Sequence, residues 1–194
     1  VPAILAQKGE ASQTAIGICL GQIRHALDAI KLMRRAALEA TKKYDPSVHD
    51  KQIASLAWAD LTEEEKLWVP PVFIIAKQSF MTSENVSSLN KALENDYPIK
   101  VLLFDDAAPQ PENAAAEILA LSNVFYPFMA NTNTFIGRGS LADPKDLFKC
   151  LLLGLKSKSG ALLSVLCPQA FDHDINPKHW QALNALAVKT RAFN

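Results

Sequence analysis

Residues 72–106 read VFIIAKQSFMTSENVSSLNKALENDYPIKVLLFDD, and the order of patterns in them decides the fold. Val72–Ala76 is a short, wholly apolar run without polar alternation, as expected of a parallel strand covered on both faces. A turn follows, then helical periodicity near Glu84–Asn95. A second apolar run, Ile99–Phe104, closes on the acids Asp105 and Asp106. Strand, helix and strand in that order predict a right-handed crossover between parallel neighbours.

Downstream the alternation continues. Further strands are expected at Val124–Met129 and Ala161–Leu166, with helices near Pro111–Ser122 and Pro144–Lys156. The helix at Pro144 has a strong start: Asp143 as N-cap, proline in the first turn, and Asp146 near the positive end of the dipole. Asn176-Pro177 repeats that logic for a last helix reaching about Ala192. The fold class that follows is α/β, an open and mainly parallel sheet with flanking helices.

Upstream the pattern is helical. From about Ala11 to Lys43 one long helix is expected, with Ile16, Leu20, Ile23, Leu27 and Ile30 forming an apolar stripe. Arg34, Arg35, Lys42 and Lys43 gather toward its end, where cations oppose the helix dipole and a solvated terminus suffices to explain them. Tyr44-Asp45-Pro46 stops it. Two shorter helices are expected near Asp50–Ala59 and Thr62–Trp68, the second opened by a Thr62/Glu65 capping box. Pro70-Pro71 then divides a helical arm, residues 1–70, from an α/β portion, residues 71–194, the two forming one structural unit.

Composition excludes several function classes. Of 194 residues, 49% are hydrophobic and 21% charged, an ordinary globular profile. Twenty basic residues balance twenty acidic ones, so no global field attracts nucleic acid or an anionic membrane. No apolar run approaches the roughly 20 residues that span a bilayer. Cys19, Cys150 and Cys167 are widely spaced, without a Cys-x-x-Cys pair, which favours reduced buried thiols in a cytosolic protein over a metal site. The N-terminus VPAILAQKGE has neither an initiating Met nor a basic leader, and fits a processed product or a piece of a longer chain.

Local clusters of polar residues read more simply as structure than as chemistry. Gly137-Arg138-Gly139-Ser140 is expected to be a loop, with an anion-binding turn as the functional alternative. Phe171-Asp172-His173-Asp174 is expected to be a surface turn, with acid–base work as its alternative. His25 and His179 fall on helices and His49 in a turn, sharing no spacing. Asn85-Val86-Ser87 matches a glycosylation sequon, inside an expected helix. Phe125, Tyr126, Phe128 and Phe135 read as core packing rather than a stacking surface.

One resemblance emerges from these residues. Ile74-Ile75 precede Ala76-Lys77-Gln78-Ser79-Phe80, and the second strand ends Leu103-Phe104-Asp105-Asp106-Ala107. Ala161-Leu162-Leu163-Ser164-Val165-Leu166-Cys167-Pro168 follows later. In pattern and spacing, the region from about Gly9 to His173 resembles the C-terminal part of the thiamine-diphosphate domain of 2-oxoacid:ferredoxin (or flavodoxin) oxidoreductases, typified by pyruvate:ferredoxin oxidoreductase. In that family the segment reads Gly-Gly-Asp-Gly-Trp, then a helix and a strand ending Val-Leu-Asp-Thr-Glu.

The resemblance implies a magnesium site at Gln78, Asp106 and the carbonyl of Ala108, beneath the diphosphate of thiamine diphosphate. The residues depart from it. Magnesium prefers carboxylate to neutral amide oxygens. Lys77 and Ser79 stand where glycines let the backbone approach the diphosphate. Pro111 stands where the family has a cofactor-contacting Asn. The expectation is therefore a domain that has lost the Gly-Asp-Gly motif and binds no cofactor, with a structural or docking role in a redox assembly. The alternatives are a working oxidoreductase piece that holds magnesium and thiamine diphosphate, and an interaction module using the long N-terminal helix. Family motifs upstream of Lys8–Gln13 have no counterpart, so partners are expected among other domains or subunits of the same assembly.

Overall fold

A computed structural model describes residues 3–5, 11–105, 125–167 and 179–189. The chain is an α/β protein built on an open, all-parallel sheet with flanking helices and a long N-terminal helix. Five strands, β1 (Ala3–Leu5), β2 (Val72–Lys77), β3 (Ile99–Asp105), β4 (Phe135–Ser140) and β5 (Ala161–Leu166), lie in the order β1-β2-β3-β5-β4. The described helices are α1 (Ala11–Ala40), α2 (Pro46–Ala54), α3 (Glu63–Lys66), α4 (Ser83–Glu94), α5 (Pro144–Lys156) and α6 (Trp180–Lys189).

Register sorts the sheet residues between its two faces. Ile74, Val101, Leu162 and Ile136 align across β2, β3, β5 and β4 and point to one face. There they join Ala15, Cys19 and Ile23 of α1 and Leu89 and Leu93 of α4 in a single core. The long helix is thus part of the sheet's packing. Its buried row is Ser12, Ala15, Cys19, Ile23 and Ile30, while Leu20 of the expected stripe is exposed. The rest of the expected stripe faces the core: Ile23 and Ile30 are buried, and Ile16 and Leu27 are partly buried against it. At its far end Arg34 is not merely solvated: Nε and Nη2 donate to the two Glu65 oxygens at 3.0 and 2.7 Å. That pairing, with the Thr62 amide, holds the Glu65 carboxyl down at about 2 and ties α3 to α1.

The opposite face carries α5. The Asp143 carboxylate accepts from the Lys145 and Asp146 amides, so this helix starts as expected. Its approach to the sheet is close: a Cβ at Gly137 would lie 2.4 Å from Cys150 Sγ, and one at Gly139 2.6 Å from Leu147 Cδ1. The stretch expected to be a loop, Gly137-Arg138-Gly139-Ser140, is therefore edge strand β4, and its glycines make room for a helix. Of the strand expected at Val124–Met129, the described residues 125–129 form a turn instead, with a 3₁₀ segment at Tyr126–Phe128. Pro127 explains the difference, since it has no amide hydrogen to give a ladder. Two smaller corrections concern the arm. The second helix is Pro46–Ala54 rather than Asp50–Ala59, and His49 lies within it, not in a turn. The helix expected at Pro111–Ser122 lies outside the described residues.

Lys100 enters this architecture as a buried cation, 2% exposed at the start of β3. Its ammonium donates to the Ser157 carbonyl at 2.6 Å and also to that of Ser159, clipping the α5–β5 connection to the sheet. Burial pulls its pKa down to about 8 from 10.5. The folded chain thus releases this proton before the unfolded chain does. The burial penalty is present below about pH 8 and is relieved as pH rises toward 10.5. Cys19, pushed up to about 11 by burial, acts in the opposite sense, because its thiol ionises sooner in the unfolded chain. Comparing denaturant stability of the wild type with Lys100→Met between pH 7.5 and about 10.5 isolates the lysine. The difference should shift in favour of the wild type as pH rises; a pH-independent difference would mean that Lys100 titrates normally.

Candidate functional site

The C-terminal ends of the parallel strands share one edge of the sheet, the place where open α/β folds bind ligands. Lys77 ends β2, Asp105 ends β3, Ser140 ends β4, and Cys167 follows β5. Lys77 aligns with Phe104, so Gln78, one residue on, is level with Asp105. Gln78–Phe80 forms a 3₁₀ turn, closed by the Met81 amide donating to the Gln78 carbonyl at 2.9 Å. Thr82 then caps α4 through the Asn85 amide. The frame is strand, tight turn, capped helix and strand, as the sequence predicts.

Of the three implied metal positions, Gln78 is half-buried in this turn, while Asp106 and Ala108 lie outside the described residues, as do Pro111 and Phe171–Asp174. Among the described residues no group of three or more His, Cys, Asp or Glu side chains converges as a metal site would. The turn also fits a diphosphate poorly. Lys77 and Ser79, both exposed, carry side chains where glycines would let the backbone approach a diphosphate. Gln78 offers magnesium only a neutral amide oxygen.

A buried polar node holds the turn in place. Ser12 Oγ, near the start of α1, donates to Asn85 Oδ1, and Asn85 Nδ2 donates to the Phe80 carbonyl at 2.7 Å. Gln13 Nε2 donates to Glu84 at 2.9 Å beside it. Asn85 is buried and hydrogen-bonded at both ends of its amide, which removes it as a glycan acceptor in the folded chain. Sequence reasoning missed this node. Its one available signal was an Asn at the third position of a capped helix, where an exposed polar residue is the default.

Asp105 is the carboxylate that the described residues place at this edge. Arg138 Nη2 lies 3.9 Å from Asp105 Oδ2, and its guanidinium stacks over the Phe125 ring at 5.1 Å. Burial lowers the Arg138 pKa and Asp105 opposes the shift, leaving the guanidinium charged at neutral pH. Nearby, Ser140 Oγ donates to Asn184 Oδ1 at 3.2 Å and accepts the Ala142 amide, joining α6 to the end of β4. A groove of about 430 Å³ lies between these elements, with Arg138, Ser140, Asp143, Asp146 and Lys189 among its walls. The Asp143 carboxylate occupies the amides at the start of α5, so that helix end is not open to an anion.

Nucleophilic chemistry has little support at this edge. Burial pushes the Cys167 thiol up, and Asp105 adds to the shift. Cys150 is raised by burial and by Asp146. Neutral thiols are poor nucleophiles. His25 is exposed on α1, and the His49 ring lies against the Asp45 backbone, both far along the chain from these residues. No helix among the described residues is long and apolar enough to cross a membrane. Compared with protein-family models and with curated proteins, the chain matches none.

Proposed function

We propose that this chain is a cofactor-free relative of the thiamine-diphosphate domain of 2-oxoacid:ferredoxin oxidoreductases. Its role is structural or docking, in a cytoplasmic, oligomeric redox assembly whose catalysis lies in other domains or subunits. The observation that supports this reading is the turn after β2. The strand–turn–helix–strand frame is intact, yet the turn presents Lys77, Gln78 and Ser79 in place of Gly-Asp-Gly. A lysine beside a neutral amide disfavours a divalent cation there. The buried Ser12–Asn85 node braces the turn from within the chain, through the Phe80 carbonyl.

The test is thermal. A ligand bound only by the folded chain raises its midpoint. Millimolar magnesium chloride with thiamine diphosphate is expected to leave the midpoint unchanged. A rise that requires both components would establish the enzyme alternative, with Gln78 and Asp106 as the positions to substitute next.

A further inference from the structure

We infer that the cleft between the helical arm and the N-terminal edge of the sheet binds a free α-amino acid with an apolar side chain. The cleft is a cavity of about 230 Å³, lined by Trp58, Glu63 and Lys66 of the arm and by Asp96, Asn133 and Lys158 of the loops that enter the sheet. Asp96 precedes β3, Asn133 precedes β4 and Lys158 precedes β5, so the cleft lies at the opposite end of the strands from the β2 turn. The inference goes beyond the docking reading and does not depend on it.

The charges of this cleft are incompletely matched within the chain. Glu63 is shared by two cations, Lys66 at 3.4 Å and Lys158 at 3.9 Å. Asp96 Oδ2 accepts from the neutral Asn133 amide at 3.1 Å and pairs with no cation among the described residues. The cleft therefore holds a surplus cation and an unmatched carboxylate. A simple amine or a simple acid would satisfy one of them and meet its own sign at the other; a zwitterion satisfies both.

Asp96 is also an unfavourable residue for its place in the fold. It follows α4 with φ 57°, in the left-handed region where helices usually end on glycine. Its amide donates to the Leu93 carbonyl and the Tyr97 amide to that of Ala92, the bonds typical of such a helix end. Lys42 adopts the same conformation after α1, with φ 56°, but brings the cation that a helix C-terminus favours. Asp96 brings the anion that it disfavours. Residues held against local preference gather at functional sites, and a carboxylate needed in the cleft gives this one a reason.

The side chain of the ligand follows from a second cavity. Lys66 and Asp96 also line an adjoining space of about 660 Å³, whose other walls include Ile23, Leu27, Leu56 and Tyr97. Trp58 lines both, with the Tyr97 ring edge-on to it at 6.4 Å. Its indole N–H is buried without an acceptor among the described residues, an unmet donor in the wall that the two cavities share. Opposite charges are thus common to both cavities, and the apolar walls belong to the second. An α-amino acid has that layout: ammonium and carboxylate on one carbon, for Asp96 and Lys66, and a side chain for the apolar walls.

The experiment is calorimetric titration of the full chain with four probes. They are L-leucine; 3-methylbutylamine and 4-methylpentanoate, each lacking one of its charges; and glycine, lacking its side chain. L-Leucine is expected to bind at millimolar concentration or below, and the other three at least about tenfold more weakly. Asp96→Gly should weaken L-leucine at least about tenfold, yet leave the thermal midpoint of the free protein unchanged or raise it by about 2–4 °C, because glycine suits the helix end. Lys66→Met should weaken L-leucine to a similar degree without weakening 3-methylbutylamine. No binding of L-leucine, equal binding of the amine, the acid or glycine, or binding indifferent to Asp96→Gly would overturn the inference. So would a lower midpoint for Asp96→Gly, which would make the carboxylate a structural partner of Asn133.

Discussion

Replacing Gly137 and Gly139 together by valine is expected to lift α5 from the sheet and lower the thermal midpoint by roughly 10 °C. Both residues sit on β4, facing a helix that leaves no room for a side chain. The added Cβ at Gly137 would meet Cys150 Sγ at 2.4 Å and the Phe135 ring at 2.8 Å. At Gly139 it would meet Leu147 Cδ1 at 2.6 Å and, more stubbornly, the Leu147 Cα at 3.3 Å. Side-chain tips can rotate away, but a helix backbone moves only with the whole element. Overpacking of this kind costs about 1–3 kcal/mol per site. The two sites press on the same helix, one turn apart, so their effects should not simply add.

Gly17→Ala supplies the control. Beyond the helix's own backbone, no atom lies within 4 Å of a Cβ placed there on α1, and helix propensity predicts a gain of up to about 1 kcal/mol. Midpoints from thermal unfolding of both variants settle the matter. A Gly137→Val/Gly139→Val protein that melts with the wild type would mean that α5 is not seated on β4 through these glycines.

These glycines also show why parts of the fold were legible and others not. β2, β3 and β5 are strands buried on both faces, and uninterrupted apolar runs are what such burial requires. α5 declares itself through Asp143, whose carboxylate caps the amides that the sequence pattern assigns to it. β4 carries no such signal. Its glycines are demanded by a helix distant in sequence, and its Arg138 by a carboxylate on another strand. Tertiary contacts of that kind leave no local period. β1, with three residues, is too short to have one.

The candidate site divides in the same way. Gln78 falls where the strand–turn–helix pattern puts it, because the turn is local. The Arg138–Asp105 pair and the Ser12–Asn85 bond join residues separated by tens of positions, and nothing in their neighbourhoods marks them. Asp105 and Asp106 are adjacent in sequence, so only the register of β3 shows that Asp105 shares a sheet face with Arg138. Lys100 is a similar case. A lysine inside an apolar strand is a local anomaly, but its reason, two carbonyls at the end of the α5–β5 connection, lies more than fifty residues away.

Phe128→Ala is expected to cost about 3–5 kcal/mol, and Tyr126→Ala, two residues earlier, less than about 0.5 kcal/mol. On a strand, residues two apart share a face, and both rings would be buried or exposed together. The 3₁₀ turn separates them: Phe128 is 0% exposed in the main core, and Tyr126 is 63% exposed. Phe128 belongs to the same cluster as Leu89 and Leu93 of α4 and Leu162 of β5. Truncating it leaves a cavity beneath both layers, since the turn is fixed by the Phe128 and Met129 amides donating to the Phe125 carbonyl and cannot easily collapse inward. Asn131 Nδ2, donating to Asn90 on α4 at 3.0 Å, pins the segment from its other side. The consequence extends to the sheet's edge, because Phe125 opens this turn and carries the Arg138 guanidinium on its ring. Urea unfolding of the two variants gives the comparison directly. Equal losses at Tyr126 and Phe128 would restore the strand, and a small loss at Phe128 would remove this segment from the core.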